Sequence, residues 1–136
     1  MKTFTILKPD TVQAGNAGAI ISRLEKEGFR IRAMKLLHLT EAQAKGFYYV
    51  HKERPFFPSL VKFMTEGPVI LMVLEADNAI DRLRKVMGAT DPGKADPGTI
   101  RKQFGTNIER NAVHGSDGPE TAAFEIGYFF SQLEIA

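Results

Sequence analysis

From Val69 to Leu74 every residue is apolar, in the order Val-Ile-Leu-Met-Val-Leu. The run falls far short of the roughly 20 residues that a membrane-spanning helix needs. It suits a β-strand covered on both faces, because an alternating strand would show water a polar side chain at every second position. The chain must therefore build a sheet with this segment in its interior and pack helices on it. With 136 residues, of which 43% are hydrophobic, it can supply one such core and is too short for two ordinary ones. A single domain spanning residues 1–136 is expected.

The flanking segments supply the rest of the layers. Thr3 to Leu7 alternates polar and apolar side chains and reads as a half-buried strand, with Phe4, Ile6 and Lys8 on one face and Pro9-Asp10 at its end. Ile20, Ile21 and Leu24 recur at helical spacing, and Gly28 is placed to end that helix. Arg30 to Leu39 alternates again and suggests a strand with a solvated edge or end, after which Thr40 is positioned to cap a helix. A short helix through Leu60, Val61 and Met64 should stop at Gly67-Pro68. Ala79, Ile80, Leu83, Val86 and Met87 form one helical stripe, and residues 88–98, rich in Gly, Pro and Asp, form a long constrained loop. Ala112 to Ser116 reads as a short strand. Asp117 and Glu120 around Pro119 resemble a capping box for a last helix whose stripe is Ala123, Ile126, Phe129 and Phe130. This order fits an α+β or α/β sandwich on a four-stranded sheet.

Several function classes fall away on composition and motif. The chain has no cysteine, so disulfides, thiolate nucleophiles and thiolate metal sites are excluded. The formal net charge is only +2, so neither nucleic acid nor an anionic membrane is required as a partner, and any anion site must be local. No secretory signal pattern opens the sequence, and the cytoplasm is the expected compartment. A P-loop kinase is excluded because no G-x-x-x-x-G-K-[ST] segment occurs. A noncatalytic nucleotide-sensing or RNA-binding module is the alternative from another class, but Val69 to Leu74 lacks the glycine and aromatic residues of an RNA-recognition strand.

The segment richest in chemistry is Asn111-Ala-Val-His-Gly-Ser-Asp117. A histidine that attacks phosphorus needs one ring nitrogen unprotonated and the other held by an acceptor. Gly115 should leave one side of the His114 imidazole uncrowded, and the helix that follows brings amide donors for an anion. Glu125, on the shoulder of the last helical stripe, is the candidate holder, although by spacing alone it reads more simply as a solvated glutamate. Lys8, Arg84 and Arg101 could clamp a polyphosphate, since phosphoryl transfer asks mostly for positioning and charge neutralisation. Taken singly, each also reads as an ordinary surface base. Phe56, lying between Pro55 and Pro58, has a core-packing reading and a base-stacking one. His38 and His51 read as satisfied polar residues.

Ile6-Leu-Lys-Pro-Asp10, Arg54-Pro-Phe-Phe57, Gly88-Ala-Thr-Asp-Pro92, Gly98-Thr-Ile-Arg101 and Asn111-Ala-Val-His-Gly-Ser-Asp117 resemble, in order and spacing, the motifs of nucleoside diphosphate kinases. The resemblance runs from Thr3 to about Phe130. It implies an α+β, ferredoxin-like βαββαβ sandwich with a four-stranded antiparallel sheet. It also implies roles: His114 as nucleophile, Glu125 and Ser116 as its orienting partners, and Tyr48 beside the reacting phosphate. Lys8, Arg84, Thr90, Arg101 and Asn111 would bind phosphate and sugar hydroxyls, and Phe56 would stack on the base with Ile108 nearby. The implied reaction is a ping-pong exchange between nucleoside triphosphates and diphosphates of broad base and sugar type. Magnesium would be carried by the nucleotide phosphates, with no metal ligands of the protein's own. The implied assembly is a tetramer or hexamer built from dimers, and the end at Ala136 resembles that of bacterial members.

Overall fold

The computed structural model describes residues 1–136. Strands β1 (Lys2–Leu7), β2 (Arg30–Leu37), β3 (Val69–Glu75) and β4 (Val113–Gly115) form one antiparallel sheet in the order β2-β3-β1-β4. The apolar run is thus an interior strand, as its composition requires. β3 pairs with β1 on one side, Phe4 opposite Val73, and with β2 on the other, Met34 opposite Met72. β2 is an edge strand with alternating exposure, in agreement with its pattern.

Helices lie on both faces. Two of them are crossovers: α2 (Ala17–Lys26) joins β1 to β2, and α5 (Ala79–Met87) joins β3 to β4. Each spans one intervening strand, so the right-handed rule for parallel crossovers sends both to the same face. There Ile20, Leu24, Leu83 and Met87 pack with Leu7, Met72 and Leu74. The opposite face receives α3 (Glu41–Phe47), α4 (Phe57–Met64) and α7 (Pro119–Phe129), with Phe47, Val61, Met64 and Phe130 against Phe4, Ile6, Leu71 and Val73. Removing a side chain such as Leu71 or Leu74 from water contributes roughly 1.5–3 kcal/mol. This split-crossover arrangement is the ferredoxin-like α+β sandwich.

Local chemistry explains most boundaries. Thr40 caps α3 through its hydroxyl, which accepts from Gln43 N–H at 3.1 Å, while the Gln43 side chain accepts from Thr40 N–H at 2.9 Å. Gly28 follows α2 with φ +95, a left-handed conformation that glycine adopts without steric cost.

Four expectations change. β1 is buried on both faces, because α5 and its neighbours cover the threonine side as well; Thr3 and Thr5 are inaccessible, and Thr5 Oγ1 is satisfied by donating to the His114 carbonyl at 2.6 Å. Two five-residue helices, α1 (Pro9–Gln13) and α6 (Ile100–Phe104), are too short to leave a periodic signal. The cap of α7 does not use Glu120: Gly118 N–H donates to Thr121 Oγ1 at 3.0 Å, and that hydroxyl donates to Asp117 at 2.7 Å. Finally, the inward face of α7 carries Ala122, Glu125, Ile126 and Phe129, while Ala123 is exposed. Exchanging Ala123 for Ala122 while keeping Ile126 and Phe129 shifts the centre of the stripe toward Glu125 and moves that carboxylate from a shoulder to the buried face.

Candidate active site

His114 lies on β4, directly across the ladder from Ile6. The backbone leading into it makes a tight turn at Ala112, whose φ of +74 is unusual for a residue with a Cβ. Val113 N–H donates back to the Asn111 carbonyl at 2.9 Å. The start of α1 holds the turn in place. Asp10 accepts from Ala112 N–H at 3.0 Å, while Lys8 N–H and the Thr11 hydroxyl both donate to the Ala112 carbonyl at 2.9 Å. Pro9-Asp10 thus ends β1 and also anchors, from the far end of the chain, the segment that carries His114.

The imidazole sits among aromatic edges, with Phe47 at 5.4 Å and Tyr48 at 6.3 Å between ring centroids. Its Nε2 lies 2.9 Å from Glu125 Oε1. A carboxylate only accepts, so Nε2 carries the hydrogen and Nδ1 keeps its lone pair. Ser116 Oγ donates to the same Glu125 oxygen at 2.7 Å, fixing the carboxylate from behind. Tyr48 brings a buried hydroxyl with no partner in the chain. Burial first, and the Glu125 carboxylate second, push that phenol well above its ordinary range, so it is a donor in search of an acceptor.

The imidazole opens on a cleft of about 550 Å³ that is also lined by Lys8, Arg84, Thr90, Arg101 and Asn111. Lys8 Nζ donates to Asn111 Oδ1 at 2.8 Å, and Asn111 Nδ2 donates to the Ile108 and Thr90 carbonyls at 2.8 and 3.1 Å. Arg101 donates to the Gly88 and Val113 carbonyls at 3.1 and 2.9 Å, and its Nε is buried with no partner. Burial, followed by the Arg101 guanidinium, pushes the Lys8 ammonium down to about 8. Burial and Arg84 lower Arg101 to about 10. These cations oppose one another, and a polyphosphate held among them would offset by attraction both the cost of their burial and their repulsion.

The other end of the cleft is apolar. Phe56, 47% exposed, lies there with Leu60 and Ile108. All the nominated residues therefore meet in one cleft except Ser116, which is fully buried behind Glu125. Sequence reasoning missed His51, Glu109 and Thr121, which also line it, and Asp117, part of the histidine segment, lies there too. His51, expected to be an ordinary polar residue, tilts against Phe56 at 5.5 Å; its closeness to Phe56 in the chain was the available signal. His38 matches its plain reading, with Nε2 2.7 Å from the Thr65 carbonyl. Gly115 also answers to a second constraint. A Cβ there would meet Met87 Sδ at 2.6 Å and Leu83 Cδ2 at 3.2 Å, so the packing of helix α5 favours glycine as well.

The chain matches the family model described as nucleoside diphosphate kinase over residues 1–135. A nucleoside diphosphate kinase of Desulfosudis oleivorans is 60% identical over 134 residues, which cover 98% of this chain and 96% of the relative. Among solved structures, the nucleoside diphosphate kinase of Aquifex aeolicus superposes with a TM-score of 0.97 at 48% identity, covering 99% of this chain and 98% of that one. The halophilic nucleoside diphosphate kinase from Halobacterium salinarum in complex with CDP also gives 0.97, at 40% identity, covering 100% and 91%. Fold and likeness together define a phosphotransferase that works between nucleotides. The chain belongs to the nucleoside diphosphate kinase family.

Proposed function

We propose that the protein passes the terminal phosphoryl group of a nucleoside triphosphate to a nucleoside diphosphate in two half-reactions through phosphorylated His114. In the first, the Nδ1 lone pair forms a bond to the γ-phosphorus while the bond to the β,γ-bridging oxygen breaks, and the diphosphate leaves with that electron pair. In the second, a terminal oxygen of another diphosphate attacks the phosphorus and the P–N bond breaks, returning the imidazole. Glu125 and Ser116 keep the ring in one tautomer and orientation. Tyr48 donates toward the reacting phosphate, and Lys8, Arg84, Thr90, Arg101 and Asn111 hold phosphate and sugar oxygens.

The observation that carries this reading is the 2.9 Å contact between His114 Nε2 and Glu125 Oε1 inside a cleft also lined by Lys8, Arg84 and Arg101. Stacking on Phe56 with Ile108 nearby attracts any base and discriminates little by hydrogen bonding, so purine and pyrimidine, ribose and deoxyribose substrates are accepted. Magnesium comes as part of the substrate. No three of the chain's His, Asp and Glu side chains group to hold a metal ion, and this cation is commonly bound through substrate phosphates with few protein ligands.

We take residues 1–136 as one domain working in the cytoplasm, in a tetramer or hexamer built from dimers. Met34 and Leu36, exposed at 52% and 64% on the edge strand β2, support self-association. No helix is long and apolar enough to cross a membrane.

Incubation with γ-labelled ATP tests the reading. Label should appear on the protein, survive base but not acid, and leave on addition of GDP. Label retained by His114→Asn would refute it.

A further inference from the structure

Among the acceptors that line the cleft and that the transfer reaction leaves unused is Glu109. It lies between Ile108 and Asn111, half-buried. Its Oε2 accepts from the Ser59 hydroxyl at 2.8 Å. Ser59 stands three residues after Phe56, on the same side of the first turn of α4. The carboxylate is thereby tied to the first turn of α4, which follows the Phe56 ring in the same cleft. The hydrogen bonds of the neighbouring cation go elsewhere: Arg110 is bonded to Glu66 twice, at 2.9 and 3.0 Å, and attracts Glu109 only at longer range. Oε1 of Glu109 has no hydrogen-bond partner in the chain.

We propose that Glu109 is a specificity-determining residue, and that its carboxylate biases the cleft toward guanine nucleotides. The inference rests on the nucleotide reading of the site given above. An ionised carboxylate offers only acceptors. Guanine presents two adjacent donors, the N1 hydrogen and the N2 amino group, which fit a carboxylate in bidentate fashion. Adenine and cytosine place an acceptor nitrogen beside their amino group, and uracil flanks its single N–H with two carbonyls. Each of these sets a lone pair against Glu109. The outcome is a preference superimposed on broad acceptance, because Phe56 still attracts every base.

The test is the ratio of kcat/KM for GDP, ADP, CDP and UDP as acceptors from the phosphorylated protein. GDP should lead ADP by about fivefold or more, mostly through KM. In Glu109→Gln the anchor to Ser59 can persist, but the side chain now offers one acceptor and one donor, a pattern that suits adenine, so the ratio should fall to about one or below. Ser59→Ala, which frees the carboxylate, should give an intermediate ratio. A ratio in Glu109→Gln equal to that of the parent protein, or an equal loss for all four acceptors, would overturn the assignment while leaving the transfer reaction intact. Absence of transfer in the parent protein would overturn the reading of the site, and this inference with it.

Discussion

His114 Nε2 and Glu125 Oε1 are 2.9 Å apart, and that oxygen also accepts the Ser116 hydroxyl at 2.7 Å. One carboxylate oxygen therefore serves a ring N–H and a hydroxyl together. Hydrogen bonds that involve a charged group contribute about 1.5–3 kcal/mol. If the bond is strongest as positive charge develops on the ring, Glu125→Ala should slow phosphorylation of His114 by roughly ten- to a hundredfold, with nucleotide affinity largely kept. Rapid-quench measurement of the phosphoenzyme checks this, and an unchanged rate would remove Glu125 from the mechanism.

Nucleotide affinity should depend on pH through Lys8. Burial and the Arg101 guanidinium push its ammonium down to about 8, against an ordinary 10.5, so the folded chain holds this proton less firmly than the unfolded chain. Its contribution to stability therefore rises with pH between those values and is fully unfavourable below about 8. A bound polyphosphate reverses the balance by favouring the charged form. ADP should bind about tenfold more weakly at about pH 9 than at about pH 7, and the dependence should flatten in Lys8→Gln. Calorimetric titration in buffers of different ionisation enthalpy would detect the accompanying proton uptake.

Tyr48 holds a buried hydroxyl with no partner in the chain. Leaving such a group unpaired costs about 1–3 kcal/mol. Tyr48→Phe should therefore raise the unfolding free energy of the nucleotide-free protein, by up to about that amount, while lowering transfer. Urea denaturation beside steady-state kinetics would reveal the opposition; a variant that loses both stability and activity would point to a packing role instead.

Gly115 has no room for a methyl group on the side of α5, where Met87 Sδ would lie 2.6 Å from the added carbon. Overpacking of this kind typically costs about 1–3 kcal/mol. Gly115→Ala should be destabilised by that order, and a second substitution, Met87→Ala, should recover part of the loss. Additive losses in the double variant would show that the two positions do not share the space.

Much of the scaffold could be read locally. Val69 to Leu74 announced an interior strand, and the Ala79 to Met87 stripe announced a helix, because burial on two faces or along one stripe writes its period into consecutive residues. β1 was harder to read, since its buried threonines look polar in sequence, and Thr5 finds its partner in backbone that arrives from residue 114. α1 and α6 were missed because five residues carry too little periodicity. At the site, the histidine segment stood out by residue type, whereas Glu109 and Thr121 gave no local sign that they would line the cleft.

The sequence by itself determined which segments seek burial, and it supplied an imidazole with small and polar neighbours next to the start of a helix. Only the tertiary structure decided which charges share a cleft. Lys8 and Asn111 bond across 103 positions of chain, and no local pattern encodes a contact made by closing so long a loop. Glu125 was decided in the same way: a partial rotation of the helix separates a solvated glutamate from one aimed at a histidine, and the packing of α7 against the sheet fixes that angle.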